Sequence, residues 1–404
     1  MFTDVKNILF TFVTETFVMN SLQLATKNFE QNLTGRYVTN DHILPLLKKL
    51  PSHFKVHVEG KSVLENNIYS VQYGVGNIKI LAWSQMHGNE STTTKALFDL
   101  FNYLSSEDQF TLDWYNKFTL YFIPILNPDG AKVYTRANAN QIDLNRDSLE
   151  ITQPESKLLR MIYEDFNPDY CFNLHDQRTI FGTENYVLPA TVSFLSPAFN
   201  DSRDFNETRL AAINIINVMN NHLQQYIPNQ IGRFDDSFNI NCIGDYFTSR
   251  NTPTILFEAG HFEKDYKRDI VRKYIFCALF SALNAINENV IVNKNLDDYL
   301  KISQNSKCFY DFLYKNVRIF DNSQEKLINF AAQYNEILKE GEIHFEAVIV
   351  QIDDLEHIAG HYEFDAKGAL FNASYGNQPK IGELANFSIA ETIKFINGEQ
   401  YQEL

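Results

Sequence analysis

Three residues of this chain have the types and positions needed to hold a metal ion. His87-Gly88-Asn89-Glu90 sets an imidazole and a carboxylate three residues apart, just after the apolar run Ile78–Trp83. Gly88 permits the tight backbone path that such a pair needs. His175 closes a second apolar run, Cys171-Phe172-Asn173-Leu174. Two histidines with one glutamate suit zinc and leave room for water, as catalytic zinc sites do. One His-x-x-Glu is a weak signal by itself, because such pairs arise by chance. Taken singly, His87 reads as a surface-loop histidine and His175 as one bonded to a neighbouring carbonyl. Only a fold that brings them together turns them into a site.

The elements around them supply that fold. Runs at 54–58, 68–73, 78–83, 118–125, 170–174 and 254–257 read as strands. Stretches 91–104, 153–166, 203–226 and 265–286 carry helical patterning, with Ser91 or Thr92 able to cap the first. Strands alternating with helices imply an α/β class with a mixed, largely parallel sheet between helical layers. Ligands bind beyond the carboxyl ends of the strands in such sheets. Four polar clusters follow four of these strands: His87 to Glu90, Asn127 to Arg146, His175 to Arg178, and Glu258 to His261. The reading therefore gathers four segments on one edge of the sheet.

The long polar segment sharpens the reading. It carries Asn127-Pro128-Asp129-Gly130, then Arg136-Ala137-Asn138-Ala139-Asn140, then Asp143-Leu144-Asn145-Arg146. With His87-x-x-Glu90 before it and His175 after it, residues from about 50 to 290 resemble the zinc metallocarboxypeptidase family, carboxypeptidase A-like and of the bacterial type. The resemblance implies an eight-stranded-type mixed sheet flanked by helices and one Zn2+ per chain on His87, Glu90 and His175. It makes Arg136 the residue that stabilises the oxyanion, and Asn145 with Arg146 the grip on a terminal carboxylate. Asp143 becomes the carboxylate behind the first histidine, and Glu258, in Leu256-Phe257-Glu258, the general acid/base. The chemistry of the side chains agrees. Zinc makes water acidic enough to lose a proton near neutral pH, and a carboxylate such as Glu258 can carry that proton to a leaving amine. An arginine suits a developing oxyanion, and the fork of Arg146 matches a carboxylate as lysine would not. Asp143 on the far nitrogen of His87 would fix its tautomer.

The expected function is hydrolysis of an amide bond next to a free carboxylate, on a peptide or an N-acyl amino acid, by metal-activated water. Release of an acyl group from an N-acyl amino acid, or of a terminal diamino acid from a cell-wall peptide, are alternatives on the same site. A zinc-binding module without turnover is the alternative outside enzymes, and retention of Glu258 argues against it. One departure stands out. Many peptide-cutting members carry a tyrosine on a mobile loop before the catalytic glutamate, and 232–238 has none; Tyr246 is the nearest. Asp176, Arg178 and His261 stand close enough in sequence to touch substrate or to brace the metal loops. His357 and His361 have i, i+4 spacing, but Gly360 and strand-like neighbours speak against a second metal site.

Composition fixes the outer limits. At 404 residues the chain has room for a large catalytic domain and a smaller one. The expected division is a lead-in at 1–50, a catalytic domain at 51–292 and a mixed α+β accessory domain at 293–404, with strands at 343–352 and 362–364 and a helix at 325–338. A formal net charge of -15 speaks against nucleic acid and anionic membranes as partners. Cys171, Cys242, Cys277 and Cys308 form no Cys-x-x-Cys pair and read as isolated reduced thiols in a core. The 33 phenylalanines read as core packing. The apolar run 8–18 is too short to span a bilayer, is broken by Glu15 and lacks a cleavage pattern. Residues 1–18 thus read as an extension before Met19, and the expected location is the cytoplasm, with a weak export signal as the alternative.

Overall fold

Strands that are buried along nearly their whole length make the centre of this protein, as expected where helices cover both faces of a sheet. The computed structural model describes residues 21–106, 108–289, 296–321, 324–353 and 355–401. Residues 1–18 and all but the last residue of the 292–296 boundary lie outside the described residues. The chain divides into two compact units: residues up to Gln177 with Ala190–Asn305, and Arg178–Pro189 with Ser306–Leu404.

In the larger unit the strands are β1 (Phe54–Lys61), β2 (Asn67–Tyr73), β3 (Ile78–Trp83), β4 (Phe118–Ile123), β5 (Tyr170–Asp176), β6 (Val192–Leu195), β7 (Ile231–Arg233), β8 (Thr254–Ala259) and β9 (Ser303–Lys307). They lie in the order β1-β2-β4-β3-β5-β8-β6-β7-β9. The central neighbours β4/β3, β3/β5 and β5/β8 are parallel, while β1/β2, β2/β4 and β8/β6 are antiparallel. The helices are α1 (Asn40–Leu47), α2 (Thr92–Leu104), α3 (Gln109–Lys117), α4 (Pro128–Val133), α5 (Pro154–Phe166), α6 (Glu207–Leu223), α7 (Ile243–Ser249), α8 (Val271–Asn287) and α9 (Leu296–Lys301). Helices α2, α6 and α8 pack together over one core that includes Phe101, Phe122, Ile216, Phe257 and Phe276. A second core, with Trp83, Leu159, Cys171 and Phe247, lies under α5 and α7. The large mixed sheet flanked by helices is the fold class read from the sequence.

The smaller unit is rich in sheet. Strands β10 (Phe309–Asp321), β11 (Gln324–Lys339), β12 (Glu342–Ile352) and β13 (Ala359–Asp365) form one sheet in the order β12-β11-β10-β13. A second sheet of four short strands spans Phe371–Asn372 to Glu399–Gln400. The helix expected over 325–338 is not there: those residues form β11. Ile328, Phe330 and Ala332 enter one core and Ala331 enters another, the alternation of a strand covered on both faces. Local propensity favours a helix in this stretch, and antiparallel pairing with β10 and β12 overrides it. Here His361 stacks on Phe309 at 4.6 Å and its Nε2 meets the Thr179 carbonyl at 2.8 Å, while His357 is exposed.

Candidate active site

Parallel pairing decides where the chemistry gathers. Trp83 of β3 pairs with Asn173 of β5, and His175 of β5 pairs with Glu258 of β8. All three strands point their carboxyl ends the same way, so the residues that follow them share one edge. The start of the 127–147 segment is fastened to that edge. Asn127 caps α4 by accepting from Gly130 N at 2.8 Å and donates to the Met86 carbonyl at 3.2 Å. A Cβ on Gly88 would lie 2.0 Å from the Gly130 carbonyl carbon, so only glycine lets the two backbones meet there.

His87, Glu90 and His175 form the candidate metal centre, with their ligand atoms all within 4.8 Å of one another and all three residues buried. Nδ1 of His87 lies 2.8 Å from Glu90 Oε1, and Nδ1 of His175 lies 2.8 Å from Glu90 Oε2. The two Nδ1 atoms are 3.1 Å apart. His87 Nε2 donates to Asp143 Oδ1 at 2.9 Å, which leaves a lone pair on Nδ1 of the neutral ring. That lone pair faces an ionised carboxylate, so a proton or a metal cation must sit between them. Burial raises the Glu90 carboxyl, but the neighbouring His87 and His175 outweigh it and hold the group well below the usual range. Burial lowers the basicity of both rings; Glu90 and Asp143 reverse the effect at His87 and not at His175. A dry site with one ionised carboxylate and two imidazole nitrogens aimed at one point fits a zinc ion.

Asp143 ties this cluster to the arginines. It accepts from His87 and, through Oδ2, from Arg136 Nε at 2.9 Å. Burial raises its carboxyl, but His87 and Arg136 draw it far below the usual range. Arg136 also donates to Glu90 Oε1 at 3.2 Å while its side chain stays 48% exposed. Asn145 and Arg146 sit in the short 3-10 turn Leu144–Arg146. Asn145 Oδ1 accepts from Ile243 N at 3.0 Å, which holds this turn against the start of α7. Arg146 is exposed, and its Nη1 donates to the Asn145 carbonyl at 2.7 Å and meets Cys242 Sγ at 3.1 Å. Cys242 read from sequence as a core thiol. It is instead half-buried beside Arg146, and burial pushes its thiol up to about 11. Nothing in its spacing pointed there.

Glu258 is buried at the end of β8, and its Oε2 has no hydrogen-bond partner among the described residues. Burial raises its carboxyl well above the usual range, and the like charges of Glu90 and Asp176 add to this. Asp176 is occupied: its Oδ2 accepts from the backbone and hydroxyl of Thr92, at 3.0 Å and 2.6 Å, at the start of α2. Tyr246 is the next tyrosine in sequence after the 232–238 stretch. It lies on α7 with the Arg160 guanidinium stacked 3.7 Å from its ring.

Comparison with known proteins adds the family. Residues 41–214 match the family described as Zinc carboxypeptidase. That span holds His87, Glu90, Arg136, Asp143, Asn145, Arg146 and His175 and ends before Glu258. Probable carboxypeptidase 2 of Trichophyton verrucosum (strain HKI 0517) is 25% identical over 127 residues, which are 30% of this chain and 24% of that protein. The chain thus spans about a quarter of the length of the first curated relatives it matches. A crystal structure of thrombin activatable fibrinolysis inhibitor superposes with a TM-score of 0.51 at 12% identity, over 68% of this chain and 81% of that one. Carboxypeptidase A from Helicoverpa armigera gives 0.50 at 14% identity, over 67% and 80%. At these identities the likeness is one of fold. Among the described residues no helix is long and apolar enough to cross a membrane.

Proposed function

With residues 41–214 belonging to the zinc carboxypeptidase family, we propose that this chain is a zinc-dependent hydrolase that cuts an amide bond next to a free carboxylate. The observation that carries the reading is the pairing of Glu258 with His175. It sets a buried carboxyl oxygen that has no hydrogen-bond partner among the described residues beside the His87, Glu90 and His175 cluster.

Zinc held by His87, Glu90 and His175 would polarise the scissile carbonyl and make nearby water acidic. Glu258 takes the proton of the attacking water and returns it to the leaving amine. Arg136 offers an exposed guanidinium for the negative charge that develops on the carbonyl oxygen. Asp143 keeps the proton on His87 Nε2 and so leaves the Nδ1 lone pair with which the ring would hold zinc. Arg146 pairs with the substrate carboxylate. Asn145, oriented by its bond to Ile243 N, presents its amide donors to the same group.

The residue beside the cut is held without a loop tyrosine, and Cys242 stands beside Arg146. The first feature favours a restricted amide over broad peptide trimming. The test is one panel: C-terminal-acid peptides, their amides, N-acyl amino acids and cell-wall peptides, each with and without a chelator. Acids cut, amides spared, and activity lost with chelator and regained with zinc is the expected result. Amides cut as fast as acids would remove the carboxylate grip, and full activity without metal would remove the mechanism.

A further inference from the structure

The chain passes between its two units three times: after Gln177, before Ala190 and after Asn305. One side chain in the larger unit holds all three places. Gln177 Nε2 donates to the Ala190 carbonyl at 2.6 Å and to Ser193 Oγ at 3.0 Å, and its Oε1 accepts from Asn305 Nδ2 at 2.7 Å. Asn305 is held in turn, since its Oδ1 accepts from Ser193 Oγ at 3.0 Å.

The backbone of Gln177 is committed as well. Its N–H donates to the Ala259 carbonyl at 2.9 Å, and its carbonyl accepts from Arg268 Nη2 at 2.6 Å. Arg268 Nη1 donates to the same Ala259 carbonyl, at 2.5 Å. Gly260 completes the junction: its N–H donates to the Thr191 carbonyl at 2.9 Å, and a Cβ there would lie 1.9 Å from the Ala190 oxygen and 2.6 Å from Gln177 Nε2. Gln177 is buried, so these groups have no water to fall back on.

Position gives this junction its meaning. Gln177 stands two residues after His175, and Ala259 directly follows Glu258. The ends of β5 and β8, which carry one metal ligand and the proposed proton carrier, are fastened to each other at the point where three chain crossings meet. A loosened junction frees the strand ends on which those two side chains sit.

We propose that Gln177, with Asn305, is a positioning pair for His175 and Glu258, setting metal affinity and turnover without touching substrate. This rests on the zinc hydrolase reading, but half of its test does not need activity. Gln177→Leu and Asn305→Leu remove the bond between the two side chains from either end. Each is expected to weaken zinc binding by about 10- to 100-fold, measured by chelator competition, as loss of a group that orients a metal ligand does. Each should also lower kcat in the zinc-saturated protein while KM stays within twofold. Both variants lose the bond between the two side chains, so the loss in the double variant should fall short of the sum of the single losses. Asn305→Gln, which keeps both a donor and an acceptor on a longer arm, should recover part of the zinc affinity. Trp114→Phe, a substitution in the core, serves as a control matched for loss of Tm.

Zinc affinity and kcat as little changed as in that control would reduce the pair to ordinary packing and overturn the proposal. So would fully additive losses in the double variant. A wild type that binds zinc but cuts no acid substrate would overturn the function reading alone, leaving the affinity data to decide on Gln177.

Discussion

The larger unit buries two clusters of charge, and they are built in opposite ways. In one, Lys95, Asp99 and Arg272 have side chains that are 0% exposed, and their charged groups are answered. Arg272 binds Asp99 through Nε at 2.8 Å and again through Nη2, and reaches the Leu33 carbonyl with Nη1. Lys95 donates to Asp269 at 2.7 Å and to the Lys267 carbonyl at 2.8 Å. Asp99 also accepts from Glu30 N at 2.7 Å, which pins the N-terminal segment. In the other cluster the Nδ1 atoms of His87 and His175 both converge on the Glu90 carboxylate, and Glu258 Oε2 has no hydrogen-bond partner among the described residues. The first is a closed clamp. The second has the donor set that could hold a metal ion. Burial and charge are alike in both, so the open valences are what mark a site.

Breaking each cluster should therefore have a different signature. The largest effect belongs to Glu258→Gln, which should retain zinc and lose turnover by about 10²–10⁴-fold, the usual range for a positioned acid/base. Metal content and single-turnover rate measure this, and a near-normal rate would move the proton transfer to another group. Asp99→Leu should leave buried Arg272 with only the Asp269 carboxylate at 3.8 Å, at a cost of about 3 kcal/mol in urea unfolding. Zinc stoichiometry should not change below the melting temperature. Zinc loss in the folded variant would merge the two clusters into one.

Part of the acid stability should come from the scaffold, at a histidine outside the metal cluster. Burial lowers His222 to about 4, and its Nε2 sits 2.8 Å from Ser21 Oγ. Its folded pKa lies below the unfolded value of about 6.5, so unfolding takes up a proton between these limits. Stability is complete above about pH 6.5 and falls by about 3 kcal/mol as the pH drops toward 4. Unfolding curves of His222→Gln across this window should lose that slope, and an unchanged slope would assign it to other groups. The smallest effect should come from Asp143→Asn, which weakens the hold on His87 Nε2. Zinc affinity should drop by about 10- to 100-fold, while urea stability of the metal-free protein shifts far less than in Asp99→Leu. Equal losses in both would make Asp143 part of the scaffold.

Much of this was legible from residue order. The apolar run Ile78–Trp83 is a strand with those bounds, and the runs at 118–125 and 170–174 are strands within two residues. Their near-continuous hydrophobicity is the mark of burial on both faces. His87, Glu90 and His175 were readable because metal ligands must be particular side chains, placed where parallel strands end. The helix expected at 325–338 failed for the converse reason: Leu, Ala, Glu and Lys favour a helix locally, and only the strands on either side decide otherwise. Short elements such as Val192–Leu195 and Ile231–Arg233 carry too few residues to show a period.

The sequence by itself determined the ligand types, their order along the chain and the strands that present them, since these follow from side-chain chemistry and hydrophobic period. Tertiary structure alone decided what lies far apart in sequence and close in space: Cys242 on Arg146, Tyr246 under Arg160, and Asn305 on Gln177. A glutamine or a cysteine is compatible with almost any environment. Its role is set by which partners the packed chain brings within hydrogen-bond reach, and no spacing along the chain encodes that distance.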